Sequence, residues 1–340
     1  MKSLLSNPIV RVVGALAAIV VALFLPMLFG GGNRIYTTFA LIAIFAIMSY
    51  GMDIILSDLG EVSLGQTVFW AAGAYTTALL VINLQWDPVL SLLAAIAVSM
   101  LIAIVLGLLT IRTREFVFSL VTYASAIIAM AIVTNVDLFG GSDGLVGMPV
   151  LQIGPYEARS PQEFYPVALI SVAIVIYAVA RFRRSRLGLT ARMTHMNGEL
   201  ATTMGFDVRR TRAIVFMLSA PASALAGWLY AFQRSYVGPD LLDQFFLLLM
   251  LTAVILPGKR ILLGPLLATA ILVVQQQHFS FGGDVDKIVL GGILAVVLLT
   301  SKDGLAGWFR TIASARRRRA DPGDEPARAA AQATSQTSNG

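Results

Sequence analysis

The sequence predicts an all-α, polytopic membrane protein of about ten transmembrane helices with both termini in the cytoplasm. Hydrophobic residues make up 57% of the 340 residues, without counting 29 glycines, and only 13% are charged. A soluble domain has roughly 45–50% apolar residues with glycine included and about 25% charged residues. Stretches long enough to cross a bilayer recur along the chain. Together these observations exclude an ordinary soluble protein.

Ten stretches are predicted to span the membrane. A spanning helix needs about 20 mostly apolar residues, because backbone polar groups find no water partners in hydrocarbon. The first stretch follows Lys2 and also fits a signal peptide, but its apolar core is as long as a full span, so we favour a retained helix. The predicted spans cover approximately residues 9–29, 35–56, 67–84, 88–110, 116–135, 164–180, 212–234, 241–256, 261–275 and 287–300.

The basic residues predict the orientation. With the N-terminus inside, one set of loops contains 21 of the 25 Lys and Arg residues. The opposite set contains only Arg34, Arg159, Arg234 and Lys287. Cytoplasmic loops are enriched in positive charge, so the basic set is assigned to the cytoplasm. The net charge of +6 then reflects orientation and attraction to anionic lipid rather than nucleic-acid binding.

Polar stretches divide the chain into a transmembrane domain, residues 1–312, and a cytoplasmic tail, residues 313–340. The tail is rich in Ala, Pro, Ser, Thr and charge, so we expect it to be disordered. A long external loop, residues 136–163, contains "DLFGGSDGLVGMP". This string is not a nucleotide-binding loop, because no strand precedes it and no GK[ST] follows it.

The cytoplasmic segment 181–212 is the most informative polar stretch. Its "GELATTMG" favours a short helix, with Gly205 as a natural helix stop. Such a helix between two spans suits a docking element for another protein. It also suits an ordinary amphipathic helix that arginines hold at the lipid surface.

The stretch "SDLGEVSLGQ", residues 57–66, places polar residues between two apolar spans. Gly60 and Gly65 permit unwinding or close backbone approach, and Ser63 and Gln66 can exchange hydrogen bonds with a polar solute. Transporters build their routes at such breaks in helices. We therefore predict that this stretch contributes to a translocation pathway.

Acidic side chains at this break admit two interpretations. Asp53 and Glu61 are predicted to set a negative local field that favours an ammonium group. In the alternative, Asp58 and Glu61 are solvated in a short cytoplasmic turn, and Asp53 pairs with a neighbouring helix.

A weak internal repeat supports the pathway interpretation. If helices two to five and seven to ten form inverted repeats, the break after the second helix corresponds to the one after the seventh. The matched positions are Ser57, Gly60 and Glu61 in one repeat and Ser235, Gly238 and Asp240 in the other.

Other conspicuous residues have structural explanations. Ser223 and Gly227 form a small-xxx-small face that lets another helix approach closely. Four tryptophans near span ends are expected to be interfacial anchors: Trp70, Trp86, Trp228 and Trp308. The chain has no cysteine and only two histidines, far apart, so no convergent site for a metal or a membrane-embedded enzyme is apparent.

Several motifs resemble one known family. Glu199, Ala201 and Gly205 stand in "ELATTMG", which resembles the EAAxxxG motif of ABC-importer permeases, with Leu for the first Ala. "SDLGEVSLGQTVFWAAGAYTTALL", "GGSDGLVGMP" and "LLGPLLATAIL" are similar to motifs of the branched-chain amino acid permease family, in order and at compatible spacings. The resemblance covers residues 35 to 300. Departures include Asp53 and Glu61, where uncharged polar residues are usual, and Gln66, where histidine is common.

The resemblance implies a permease subunit of an ATP-driven importer, working by alternating access on branched-chain or related amino acids. Cargo such as urea, amides, sugars or nucleosides remains open. The helix with Glu199, Ala201 and Gly205 would couple to cytoplasmic ATP-binding subunits, which would hold ATP and Mg²⁺, and this chain would bind no cofactor. A second permease, identical or homologous, would complete the pathway.

An extracellular solute-binding protein would dock on Gly141, Ser142, Asp143 and Gly144. The rival from another class is an ion-coupled secondary transporter or channel that uses Asp53 and Glu61.

Overall fold

The computed structural model describes residues 19–110, 115–278, 282 and 284–300. The tail 313–340, Trp308 and the first half of the predicted span 9–29 lie outside these ranges. The described chain is mostly helical, with four two- or three-residue strands. Its helices are α1 Ile19–Leu28, α2 Asn33–Asp53, α3 Gln66–Leu84, α4 Pro88–Thr110, α5 Glu115–Asn135, α6 Pro161–Arg184, α7 Arg186–Met196, α8 Gly198–Thr203, α9 Val208–Arg234, α10 Gln244–Ile255, α11 Gly264–His278 and α12 Asp284–Thr300.

Within the described ranges, a helix coincides with each predicted span. Six are long and apolar enough to cross a membrane: α2 with its extension to Leu59, α3, α4, α5, α6 and α9. Two shorter apolar helices, Ile19–Leu28 and Gln244–Ile255, fall below that length. The fold is therefore helical and multi-spanning, while the ten crossings and the inverted repeat stay predictions.

The central element is α2, because it packs against α6, α9, α10 and α11. Its last turns widen into a π-helical segment, Ile54–Leu59, which ends at Gly60 in the left-handed conformation. A non-helical stretch that ends in a turn at Gly65 follows, and α3 begins at Gln66. The predicted break between the second and third helices is therefore present.

Small residues allow α3 and α9 to pack closely. A Cβ at Gly227 would lie 2.1 Å from the Trp70 carbonyl oxygen, and one at Gly73 would lie 2.4 Å from that of Ala224. Ser223 faces Gly51 of α2 at similarly short range. The prediction that Ser223 and Gly227 admit a neighbouring helix is confirmed.

Aromatic packing corrects the prediction for two tryptophans. Trp70 is fully buried, and its ring centroid lies 4.9 Å from that of Tyr230 and 5.9 Å from that of Phe246. Trp228 is also buried, and its Nε1 donates to the Pro88 carbonyl at 2.9 Å. The interfacial assignment was wrong for both, because interior contacts occupy these rings. Trp86 is 38% exposed at the turn between α3 and α4.

Loops assigned to one side of the membrane lie together. β1, Leu145–Val146, pairs antiparallel with β4, Tyr236–Val237, and both belong to loops predicted to be external. β2, Leu151–Ile153, and β3, Tyr156–Ala158, form a hairpin in the same region. Arginines from two loops predicted to be cytoplasmic gather at the other end of the bundle. We call that end the arginine-rich side.

The close approach of α3 and α9 predicts a strong effect of one added methyl group. We expect Gly227→Ala to lower stability by about 1–3 kcal/mol, the usual cost of overpacking, because backbone atoms of α3 cannot yield. Melting in detergent, followed by size-exclusion chromatography after heating, measures the loss. Gly291→Ala on α12 is the control, since a Cβ there meets no atom within 4 Å. Equal melting temperatures of the two variants would contradict the packing.

Candidate functional site

Three carboxylates and three guanidinium groups form an ionic cluster at the arginine-rich side. Its members are Asp53, Asp58, Glu61, Arg183, Arg212 and Arg260. They come from the end of α2, its π-helical extension, the stretch before α3, the end of α6, the start of α9 and the turn between α10 and α11. The cluster thus joins six parts of the bundle.

Arg183 is the centre of the cluster. Its Nη2 donates to Asp53 Oδ2 at 2.6 Å, and its Nε donates to Asp58 Oδ2 at 3.0 Å. Arg260 Nη1 lies 2.6 Å from Asp58 Oδ1 in an ionic contact without hydrogen-bond alignment. Arg212 pairs with Glu61. Ser57 Oγ donates to Asp53 Oδ1 at 2.5 Å and accepts from the Arg260 backbone N–H at 3.3 Å.

The pairing changes the interpretation of the acidic residues. Asp53 and Asp58 are 1% and 0% exposed. The expectation of a solvated Asp58 is therefore wrong. The expected pairing of Asp53 with a neighbouring helix is confirmed by its contact with Arg183 of α6. The side chain of Glu61 is 12% exposed. As three positive charges meet three negative ones, the basis for a negative field at Asp53 and Glu61 is removed.

The uncharged residues of the break contact two different helices. The hydroxyl of Ser63 is buried without a hydrogen-bond partner. Gly65 packs against α5, where a Cβ would lie 2.4 Å from the Thr122 carbonyl oxygen. Gln66 Nε2 donates to Ser223 Oγ of α9 at 2.9 Å, and its Oε1 is buried without a partner. The pathway role of Gly60, Ser63, Gly65 and Gln66 stays a prediction.

His195 of α7 contacts Gly60, in the non-helical stretch between α2 and α3. A Cβ at Gly60 would lie 1.8 Å from the imidazole Nδ1, and Gly60 has a φ of +75°. The imidazole hydrogen-bonds to the Leu59 backbone. Partial burial, followed by the charge of Lys259, lowers the pKa of His195, which favours the neutral ring at neutral pH. Sequence reasoning missed this contact, because no local pattern joins the two residues.

The predicted coupling helix is present as α8. Asn197 caps it by accepting the Leu200 N–H at 3.0 Å, and Ala201 is 2% exposed while Glu199 is exposed. Gly205 has a φ of +84°, so the predicted helix stop is confirmed. We call α7 and α8 together the coupling segment, residues 186–203.

The coupling segment presents apolar side chains to solvent although it lies outside the spans. Met196 and Leu200 of this segment are 74% and 57% exposed, and Met204, which follows its last residue, is 60% exposed. Exposed apolar patches of this kind mark interaction surfaces. The geometry therefore favours a docking role over a helix that only connects two spans.

On the opposite side, Gly141, Ser142, Asp143 and Gly144 form a tight turn. Ser142 and Asp143 are exposed, whereas Gly144 has a φ of +69° and packs against the Val237 carbonyl. An open cleft of about 650 Å³ lies nearby, between the α3–α4 turn and β2, with Gln85, Asp87 and Gln152 in its wall. Docking of another protein on residues 141–144 stays a prediction, and the cleft was not foreseen.

Within the described ranges, no three His, Asp or Glu side chains are grouped so that they could hold a metal ion. The acidic residues of the ionic cluster are instead bound to arginines.

Comparisons with known proteins agree with this architecture. Residues 34–298 match the family model described as "Branched-chain amino acid transport system / permease component". The chain is 25% identical over 320 residues to the high-affinity branched-chain amino acid transport system permease protein LivM of Escherichia coli K12, covering 85% of this chain and 73% of the relative. Identity to the protein of the same name from Salmonella typhimurium LT2 is 24% over 321 residues, with the same coverage. No solved structure is significantly similar to the chain.

Removing one carboxylate from the ionic cluster is predicted to be costly. We expect Asp58→Asn to lower the free energy of unfolding by about 3 kcal/mol, because Arg183 and Arg260 lose their shared partner in a buried site. Thermal unfolding in detergent measures the effect. Asp137→Asn, at an exposed position on the opposite side, is the matched control. Identical melting curves for both variants would show that the cluster does not hold the helices together.

Proposed function

The chain belongs to the branched-chain amino acid transport permease family, and we propose that it imports branched-chain or related amino acids as the membrane subunit of an ATP-driven ABC importer. It is a multi-pass membrane protein of the inner membrane and a transport subunit rather than an enzyme. The observation that carries the proposal is α8, an exposed helix outside the spans that bears the Glu199 to Gly205 pattern.

The surroundings of α8 support docking to a separate ATPase. Its apolar residues face outward, while His195 of α7 contacts Gly60 just after the α2 extension, and the ionic cluster holds Arg183, near the start of α7, against Asp58. A helix that transmits movement from an ATPase to the membrane helices has to be attached firmly to them. ATP and Mg²⁺ would be bound by two cytoplasmic partner subunits, each seated on one coupling segment.

The proposed mechanism is alternating access. A second permease, identical or homologous, would complete the pathway, and an extracellular solute-binding protein would deliver cargo at residues 141–144. ATP binding would draw the coupling segments together and favour the outward-facing state, and hydrolysis would reset it. The ATPases can shift this equilibrium only through contacts that differ between the two states.

The break at residues 60–66 supports a polar pathway. Ser63 Oγ and Gln66 Oε1 are buried and have no partner in the described part of the chain. Such atoms have hydrogen-bonding capacity for an ammonium or carboxylate group of a solute. The names of the relatives favour branched-chain amino acids over urea, amides, sugars or nucleosides. Uptake of labelled solutes would decide among these classes.

The ion-coupled rival is weakened by the same geometry. Such a carrier would use Asp53 and Glu61 as binding groups for a proton or cation, but Arg183 and Arg212 occupy them. Displacing a guanidinium from a buried carboxylate is costly. We therefore place the driving force in partner ATPases.

Proline substitution at two glycines tests the coupling helix. Gly205 has a φ of +84°, which proline cannot adopt, so Gly205→Pro should distort the end of α8. We expect ATP-dependent leucine uptake to fall more than about tenfold and the ATPase to be lost on purification, since tenfold corresponds to only about 1.4 kcal/mol of contact energy.

The control for this experiment is Gly198→Pro. Gly198 is the first residue of α8, where proline is tolerated, and it has open space around it. Normal uptake with Gly205→Pro would refute the docking role of α8. Uptake that persists in liposomes without any ATPase would establish the secondary transporter instead.

A further inference from the structure

We propose that residues 60–65, here called the tether, transmit movement of the coupling segment to α5, and that Ser119 and Thr122 are the positioning residues for this step. The inference rests on the proposed function, because it takes the coupling segment to be moved by ATPase subunits. It concerns a part of the chain that carries no motif for coupling.

One end of the tether is attached to the coupling machinery. His195 of α7 covers Gly60, where even a methyl group would collide with the imidazole. The next residue, Glu61, pairs with Arg212 in the first turns of α9. Asp58, just before the tether, is held by Arg183 and Arg260. His195 is the contact through which a displacement of α7 acts on this end of the tether, and the ion pairs join the same end to α6, α9 and the α10–α11 turn.

The middle of the tether is bonded to α5. Ser119 Oγ donates to the Val62 carbonyl at 2.7 Å, and the Leu64 N–H donates to Thr122 Oγ1 at 3.1 Å. Gly65 packs against the Thr122 carbonyl. Because the tether is not helical, its polar backbone groups need partners from elsewhere in the protein, and α5 provides them.

The far end of the tether is fixed as well. Gln66 donates to Ser223 of α9, whose hydroxyl also lies at the close approach to Gly51 of α2. The tether is thus a short non-helical segment held between α9 and α5. A segment of six residues that is held at both ends can change its length little. A displacement of one end therefore displaces the other end as well.

Helix α5 is otherwise sparsely packed at this end. Among its residues 116–135, those that are buried form one narrow stripe, Phe118, Thr122, Ala126 and Val133. Phe116, Val117 and Leu120, at the arginine-rich side, are 77%, 50% and 55% exposed. Phe118 also packs against Phe216 of α9, with ring centroids 5.4 Å apart. The hydrogen bonds to the tether join this half of α5 to the rest of the chain alongside that apolar contact, and α5 can follow the tether.

The test uses the complete importer, with its partner subunits, reconstituted in liposomes. Thr122→Val removes the hydroxyl that holds Leu64 but preserves the shape of the side chain. Thr134→Val is the matched control on the same helix, because the Thr134 hydroxyl bonds to Met130 of α5 itself at 2.8 Å. We measure ATP hydrolysed and leucine imported in the same preparation.

We expect Thr122→Val to hydrolyse ATP within about twofold of wild type but to spend about tenfold more ATP per leucine, which lies in the 5–150-fold range of measured site couplings. Thr134→Val should retain the wild-type ratio. Thr122→Ser, which restores the hydroxyl, should recover most of the coupling.

Three results would overturn the inference: an unchanged ATP-to-leucine ratio in Thr122→Val, a parallel loss of both activities, or failure of Thr122→Val to assemble while Thr122→Ser assembles. The last two would assign the Thr122 hydroxyl to folding alone. If the wild-type preparation shows no ATP-driven uptake, the proposed function itself is wrong. This outcome differs from the three above because the wild type would then also lack coupling between ATP hydrolysis and leucine import.

Discussion

Two carboxylates with almost no exposure lie at the end of a membrane helix, and their pairing with arginines is the constraint on which this end of the molecule depends. Asp53 and Asp58 follow each other on one side of α2 and its π-helical extension, whereas Arg183 ends α6 and Arg260 precedes α11. An unpaired carboxylate at such a site would be expensive. The pairing therefore brings α2, α6 and the α10–α11 turn to one place, and α7 begins directly beyond it.

The positions of the helices were predictable because the requirement behind them is local. A window of sequence that must satisfy its own backbone in hydrocarbon shows this in its composition alone, and the described helices coincide with the predicted spans. The pairs of the ionic cluster were not predictable in this way. Asp53 and Arg183 are 130 residues apart, and nothing near Asp53 in the sequence indicates which arginine pairs with it.

Packing faces show the same limit. Gly205 and the Ser223–Gly227 pattern were interpreted correctly, because a helix stop and a small-xxx-small face each depend on a few neighbouring residues. Trp70 was not, because α3 is apolar around its whole circumference and its sequence does not indicate which side meets α9. Gly60 is the extreme case, since its neighbour His195 belongs to a distant helix.

The ten residues that interrupt the second and third helices divide into groups with different physical demands. The charged ones need countercharges, and arginines at the arginine-rich side provide them. The non-helical backbone needs hydrogen-bond partners, and Ser119 and Thr122 of α5 provide them. Ser63 Oγ and Gln66 Oε1 are left without partners in the described chain. The other groups hold these two atoms at fixed positions, so under the proposed function their hydrogen-bonding capacity would be preorganised for a polar solute.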